Sequence, residues 1–259
     1  TFEVNASSVR EGSSIAEAVS SVGLKSNYHS SDKNVYRNIS FSSPRKGLPV
    51  LKSPYVLAEA MYNMSLEEVF MNIEEDGTFR TGESWSGVWT RDISYSIVLA
   101  LAVVYPDVAI TSLMAKVKNN RIIQDTGTGG SWPISSDRTT WALAAWEIYT
   151  VTGDKEWLSK AREIIKNTVE DDFYMVLDKE TGLMRGESSF LDWREQTYPR
   201  WMDSKDIYES FNLGTNAVHY KTLEILADMS ELLGLESDKY RKSAESIRNA
   251  VNSYLWVEE

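Results

Sequence analysis

Cysteine is absent from the 259 residues, and histidine occurs only at His29 and His219. No disulfide scaffold, thiolate metal site or cysteine nucleophile is available, and a multi-histidine metal site is excluded with them. Long hydrophobic runs are missing too: the longest, Ile97 to Tyr105, is too short to span a bilayer. Against a formal net charge of −11 no basic cluster stands out, which argues against a nucleic-acid partner. No cofactor is demanded, and a structural Ca²⁺ has no loop signature. With sulfur and imidazole chemistry removed, acid–base work falls to carboxylates.

What is present is an ordinary globular composition, 42% hydrophobic and 25% charged, with 9 Trp and 13 Tyr. Residues 1–52 are rich in Ser, Asn and Lys and read as a linker or small β segment. Within them, Val35 to Phe41 alternates with period two, as an edge strand does. From residue 53 the pattern turns helical. Tyr55 to Ile73 comes first, stopped by Asp76-Gly77. Ile93 to Tyr105, apolar on all sides, predicts a buried helix, and Asp107 is placed to cap the next, running to about Lys118. Thr139–Thr152, Glu156–Val169, Asn212–Leu233 and Asp238–Trp256 follow, with a strand-like Phe173–Leu177 between.

These helices repeat as pairs, an apolar member, a short turn, then an amphipathic member: 93–105 with 107–118, 139–152 with 156–169, and 212–233 with 238–256. An all-apolar helix must be covered on both sides, so the first of each pair belongs to an inner layer and the second to an outer one. Concentric hairpins, an all-α (α/α)6 barrel, account for this pattern. An α-solenoid is the competing architecture, but its loops are short and uniform.

The loops before the inner helices are neither. Trp85-Ser86-Gly87-Val88-Trp89-Thr90-Arg91-Asp92 offers flat apolar faces from tryptophan and a fork of Arg91 and Asp92 for sugar hydroxyl pairs. The competing account is an Asp92 N-cap with Trp packing. Asp137, at the end of Gly129 to Asp137, serves equally as a helix cap or a binding group. The third loop, Glu187 to Asp203, holds Asp192, Glu195 and Asp203 among aromatics and Arg194 and Arg200. Asp192 sits between Leu191 and Trp193, where desolvation raises a carboxyl pKa toward what a general acid needs. Glu195 and Asp203 read as solvated partners of the arginines.

Glu187-Ser188-Ser189-Phe190-Leu191-Asp192 followed by Tyr198-Pro199-Arg200-Trp201 resembles a signature of glycoside hydrolase family 63, the processing α-glucosidases and their bacterial relatives. Trp89-Thr90-Arg91-Asp92 resembles the W-x-R-D element of six-hairpin glycosidases. Asp137-Arg138-Thr139-Thr140-Trp141 with Thr152-Gly153-Asp154 is similar to another of their segments. The resemblance covers about residues 55 to 259. It implies inverting hydrolysis of an α-linked neutral oligosaccharide, with Asp192 as general acid. Trp89, Arg91, Asp92, Asp137, Trp193, Arg200 and Trp201 would then line the sugar pocket. Arg194 to Thr197 look inserted relative to the signature, which leaves Glu195 as an alternative acid. Seven helices are legible where a closed barrel needs twelve, and no general base is found. The expectation is therefore the N-terminal part of a catalytic domain, exposing an apolar flank that suits self-association or further hairpins. The start, Thr1-Phe2-Glu3-Val4, reads as processed or trimmed, and a glycan substrate suggests a periplasmic or secreted location. A non-catalytic glycan-binding module and a helical-repeat interaction scaffold are the two readings from other classes.

Overall fold

A computed structural model describes residues 2–42, 47–124, 130–187 and 198–258. The chain divides into two compact units, Thr1–Glu74 and Glu75–Glu259.

The first unit is more ordered than its composition announces. Strands β1 (Phe2–Val4), β2 (Ser8–Glu11), β3 (Ser14–Ser20), β4 (Gly23–Ser26) and β5 (Arg37–Ser40) form a five-stranded antiparallel meander in chain order. β5, the strand expected from its alternation, lies at the edge. Asn27 is buried and closes the sheet's end. Its Oδ1 accepts from the Ile15 N–H at 2.7 Å, and its Nδ2 donates to the Lys33 carbonyl at 2.6 Å. Helix α1 (Val56–Met71) lies on this sheet, with Leu57 and Ala60 packed on Ala18, Leu24 and Phe41. The Leu57 N–H donates to Ala6 O and Asn63 Nδ2 to Ser21 O. By compactness α1 groups with the β segment and the units divide after Glu74, whereas the change of sequence pattern falls at 52/53.

The second unit carries the three predicted hairpins. The first inner helix is continuous through α2 (Thr90–Ser96), a π-helical turn (Ile97–Leu101) and α3 (Ala102–Val104), and its outer partner is α4 (Pro106–Met114). The second pair is α5 (Thr140–Thr152) with α6 (Lys155–Met175). The third is α8 (Leu213–Leu232) with α9 (Asp238–Tyr254), after a short α7 (Ser204–Glu209). α2, α5 and α8 pack side by side in one layer, with α4, α6 and α9 behind them.

Burial follows the layers. α5 buries Thr140, Trp141, Ala142, Ala144, Ala145 and Ile148, most of its circumference, whereas α9 buries a single stripe of Tyr240, Ala244, Ile247 and Ala250. Between the layers Trp141 Nε1 donates to Leu113 O and Trp157 Nε1 to Ala145 O, both at 2.9 Å, so neither buried indole is left unsatisfied. Gly153 in the left-handed region (φ 67°) ends α5, and Asp154 accepts from the Glu156 and Trp157 N–H groups to start α6.

Local expectations fail in identifiable ways. The first inner helix is not apolar-covered throughout: Ile97 and Leu101 are buried, but Leu99 is 83% exposed and Val103 54%. Asp107 is not a cap, because Pro106 opens α4 and Tyr105 precedes it. That helix ends at Met114, and a two-stranded hairpin, β6 (Val117–Lys118) and β7 (Arg121–Ile122), follows where helix was expected. Phe173–Leu177 is not a strand, since α6 runs through Met175. No described helix is long and apolar enough to cross a membrane.

Candidate active site

The N-terminal ends of the inner helices carry the charged network. Trp89 precedes α2 and meets Trp85 edge-on at 6.4 Å between ring centroids. Thr90 Oγ1 donates to Ile123 O at 3.3 Å, holding α2 against the segment that leads to the second loop. Arg91, in the first turn of α2, donates through Nη1 to Asp137 Oδ2 at 2.7 Å. Asp137 is buried in the 3-10 turn Asp137–Thr139 that opens into α5. Its other oxygen accepts from Gln124 Nε2 at 2.6 Å and from Ser135 Oγ at 3.4 Å. Gln124 in turn accepts from the Arg138 N–H at 2.8 Å.

The side chain of Asp137 therefore does not cap the helix. It anchors Arg91 across the gap between two inner helices, and such charge-assisted bonds are the strong kind. Tyr95 stands one turn beyond Arg91 on α2. Burial and the Asp137 charge push its phenol up to about 12, against the opposing pull of Arg91, so it is a neutral hydrogen-bond donor at any physiological pH. Asp92 is exposed beside them.

Behind this mouth lies a second, fully buried cluster. Asp172 of α6 accepts at Oδ1 from Arg138 Nη2 at 2.6 Å and from Trp132 Nε1 at 2.8 Å. Its Oδ2 faces His219 Nε2 of α8 at 3.5 Å, and His219 Nδ1 meets Thr215 O at 2.9 Å. The Arg138 guanidinium also stacks on the Trp132 ring, 4.7 Å from its centroid, and donates to Ile122 O. Burial raises the Asp172 carboxyl pKa, but the His219 imidazole and the Arg138 charge outweigh it and hold the group below its ordinary range. Four segments are fixed to one carboxylate: the second loop, the 3-10 turn, α6 and α8.

Sequence reasoning missed this cluster, although a signal existed. Asp172 continues the apolar stripe of Ala161, Ile165 and Thr168 along α6, where a carboxylate has no solvent to face.

The third loop begins against the second. Glu187 is buried, its N–H donates to Ile134 O at 2.8 Å, and its carbonyl accepts from Thr215 Oγ1. Asp192, Trp193 and Glu195 lie outside the described residues. Arg200 and Trp201 are exposed in the turn before α7. Asp203, expected to be a solvated arginine partner, instead caps α7: it accepts from the Lys205 and Asp206 N–H groups, and Asp206 returns the bond. Beside the mouth an open cleft of about 480 Å³ is bounded by Gln124, Trp132, Arg138 and the β6–β7 hairpin. Among the described residues no group of three or more His, Cys, Asp or Glu is placed to hold a metal ion.

Residues 92–259 match the model of the bacterial alpha-L-rhamnosidase 6 hairpin glycosidase domain. The chain belongs to this family. The six-hairpin superfamily expected from Trp89 to Asp92 and from Asp137 onward is thus shown, in its rhamnosidase branch and not specifically in family 63. The crystal structure of the GH78 family rhamnosidase of Bacillus sp. GL1 is similar, with a TM-score of 0.50 over 86% of this chain at 15% identity. At that identity the likeness is one of fold, and this chain spans 23% of that enzyme's length. No curated protein sequence matches the chain. For this rhamnosidase-type domain, the matched region runs from Asp92 in α2 to the end of the chain and holds the three hairpins, with Asp137 inside it and Arg91 directly before it.

Proposed function

We propose that this chain contributes to the hydrolysis of an α-linked neutral glycan, an α-L-rhamnoside foremost, with inversion and with Asp192 as general acid. The observation that supports this most is the match to a rhamnosidase six-hairpin domain over residues 92–259, which include Asp92, Asp137 and the whole third loop. In this reading Trp89 gives the sugar a flat face, Arg91 and Asp92 take hydroxyl pairs, and Arg200, Trp193 and Trp201 border the leaving-group side. Asp137 acts through Arg91, since both its oxygens are already engaged. Inversion requires a base roughly 6.5–9.5 Å from the acid, with room for a water between them. No residue of these three hairpins is assigned that role, and the resemblance sets it in later hairpins.

The test uses the full-length protein that carries this chain, assayed on nitrophenyl α-L-rhamnoside, α-D-glucoside and α-D-mannoside. Asp192→Asn is expected to lose about 10²- to 10⁴-fold in turnover on the substrate that is cleaved. Glu195→Gln is expected to retain most of it, and proton NMR is expected to show the inverted anomer first. Wild-type-like turnover in Asp192→Asn together with collapse in Glu195→Gln would transfer the acid role to Glu195.

A further inference from the structure

Helix α8 opens on polar side chains where an inner helix is otherwise apolar. Asn212, Thr215 and Asn216 stand at i, i+3 and i+4, on one face of its first turn, and Thr215 and Asn216 are fully buried. Asn and Thr are poor helix formers, because their side chains compete for backbone partners. Asn212 is of the residue type that caps helices best, yet its side chain makes no cap bond.

Their bonds go to the backbone of residues 184–187, the stem of the third loop. Asn212 Nδ2 donates to Gly186 O at 2.7 Å, and Thr215 Oγ1 donates to Glu187 O. Asn216 Oδ1 accepts from the Met184 N–H at 2.7 Å, and its Nδ2 donates to the Met184 carbonyl at 3.0 Å. One side-chain amide thus supplies the pair of bonds that a neighbouring antiparallel strand makes. The Gly186 N–H donates to Ser210 O and the Glu187 N–H to Ile134 O. Met184, Gly186 and Glu187 therefore have both backbone polar groups engaged. Asp192 and Glu195 follow Glu187 in the chain. A general acid works only within hydrogen-bond reach of the leaving oxygen, and a misplacement of about 1 Å can cost about 10²-fold in rate.

We infer that Asn212, Thr215 and Asn216 are positioning residues of the proposed hydrolysis: they fix the stem of the third loop, and through it the carboxylate that protonates the leaving group. The inference rests on the glycoside-hydrolase reading. It holds whether Asp192 or Glu195 is the acid, since both belong to the loop that this stem begins.

The test is steady-state kinetics of the full-length protein on the methyl and dinitrophenyl glycosides of the sugar it cleaves. A dinitrophenolate departs without a proton, whereas methanol needs one, so a displaced acid shows on the methyl glycoside alone. Thr215→Val and Asn216→Leu are expected to lower kcat on the methyl glycoside about 10- to 10²-fold with KM nearly unchanged. On the dinitrophenyl glycoside the loss is expected to stay within about threefold. Asn212→Ala, at a half-buried site, should show the same pattern more weakly, and Thr215→Ser should restore the wild-type ratio. Thr222→Val removes another buried hydroxyl bond of α8, donated to Thr139 O at 3.2 Å, and should leave the ratio of the two substrates unchanged.

Equal losses on both glycosides, no loss, or a change in KM alone would each overturn the positioning role. If Asp192→Asn or Glu195→Gln shows the leaving-group pattern and the α8 variants do not, this inference falls alone. If neither carboxylate variant shows it, or no glycoside is cleaved, the hydrolase reading falls. Hydrogen exchange reads the clamp without turnover: the Met184 amide is expected to exchange about tenfold or more faster in Asn216→Leu, with α9 unchanged. Equal protection of that amide in wild type and variant would remove the clamp itself.

Discussion

The residue on which most of the second unit converges is Asp172, a carboxylate with no exposed surface that holds Arg138, Trp132 and His219. Removing one partner of a buried pair costs more than the pair contributes, because the remaining charge is stranded. Asp172→Asn leaves Arg138 in that position, and a loss of about 3–5 kcal/mol at neutral pH is expected from chemical denaturation. The pH dependence has a definite sign. The Asp172 carboxyl is held below its unfolded value by His219 and Arg138 against the effect of burial. Its contribution is therefore complete above about pH 4, the unfolded carboxyl value, and is lost as pH falls through the lower folded value. The stability gap between wild type and Asp172→Asn should narrow as pH drops below about 4. A gap that stays constant down to the acid transition would show that Asp172 is not ionised in the fold.

Among the elements, the junction between the second and third loops is set by backbone. Gly186 has φ 113°, a conformation L side chains avoid, and a Cβ there would lie 2.5 Å from the Ile134 carbonyl oxygen. The next residue, Glu187, donates to that same oxygen. Gly186→Ala is expected to destabilise by about 2–4 kcal/mol, the combined effect of a strained conformation and a close contact that only backbone movement relieves. Gly82→Ala, where a Cβ meets nothing within 4 Å, is the control and should stay within about 0.5 kcal/mol of wild type. Thermal unfolding of the two variants checks this, and equal midpoints would show that the loops are not joined here.

The same elements show what a sequence can and cannot announce. The three hairpins were legible because inner and outer helices differ in how much of their circumference is apolar, a local property. Gly153 and Asp154 marked their turn by conformation and capping. The β6–β7 hairpin was not legible, because two residues per strand leave no periodicity to read. The packing of α1 on the sheet was hidden for another reason: Leu57 and Ala60 suit a helical or a β partner equally well. At the site, Arg91 and Asp137 stood out as unusual loop residues, but their pairing 46 positions apart is tertiary and had no local trace.

For the whole molecule, charge and exposed apolar surface act together. Leu99 and Val103 project from the first inner helix at 83% and 54% exposure, in a chain whose net charge of −11 keeps copies apart. Single exposed apolar residues are ordinary, but two a turn apart on a helix of the inner layer form a continuous strip. If that strip faces water in the protein as it exists, Leu99→Glu should change unfolding stability by no more than about 0.5 kcal/mol. If the strip mediates association, sedimentation of the wild type at rising protein concentration should show a weight-average mass that climbs. Leu99→Glu should flatten that climb, and added salt, by screening the net charge, should steepen it for the wild type. A loss of several kcal/mol in Leu99→Glu would carry the opposite meaning. Leu99 would then be covered, and the surface against it would have to come from outside the three hairpins described here.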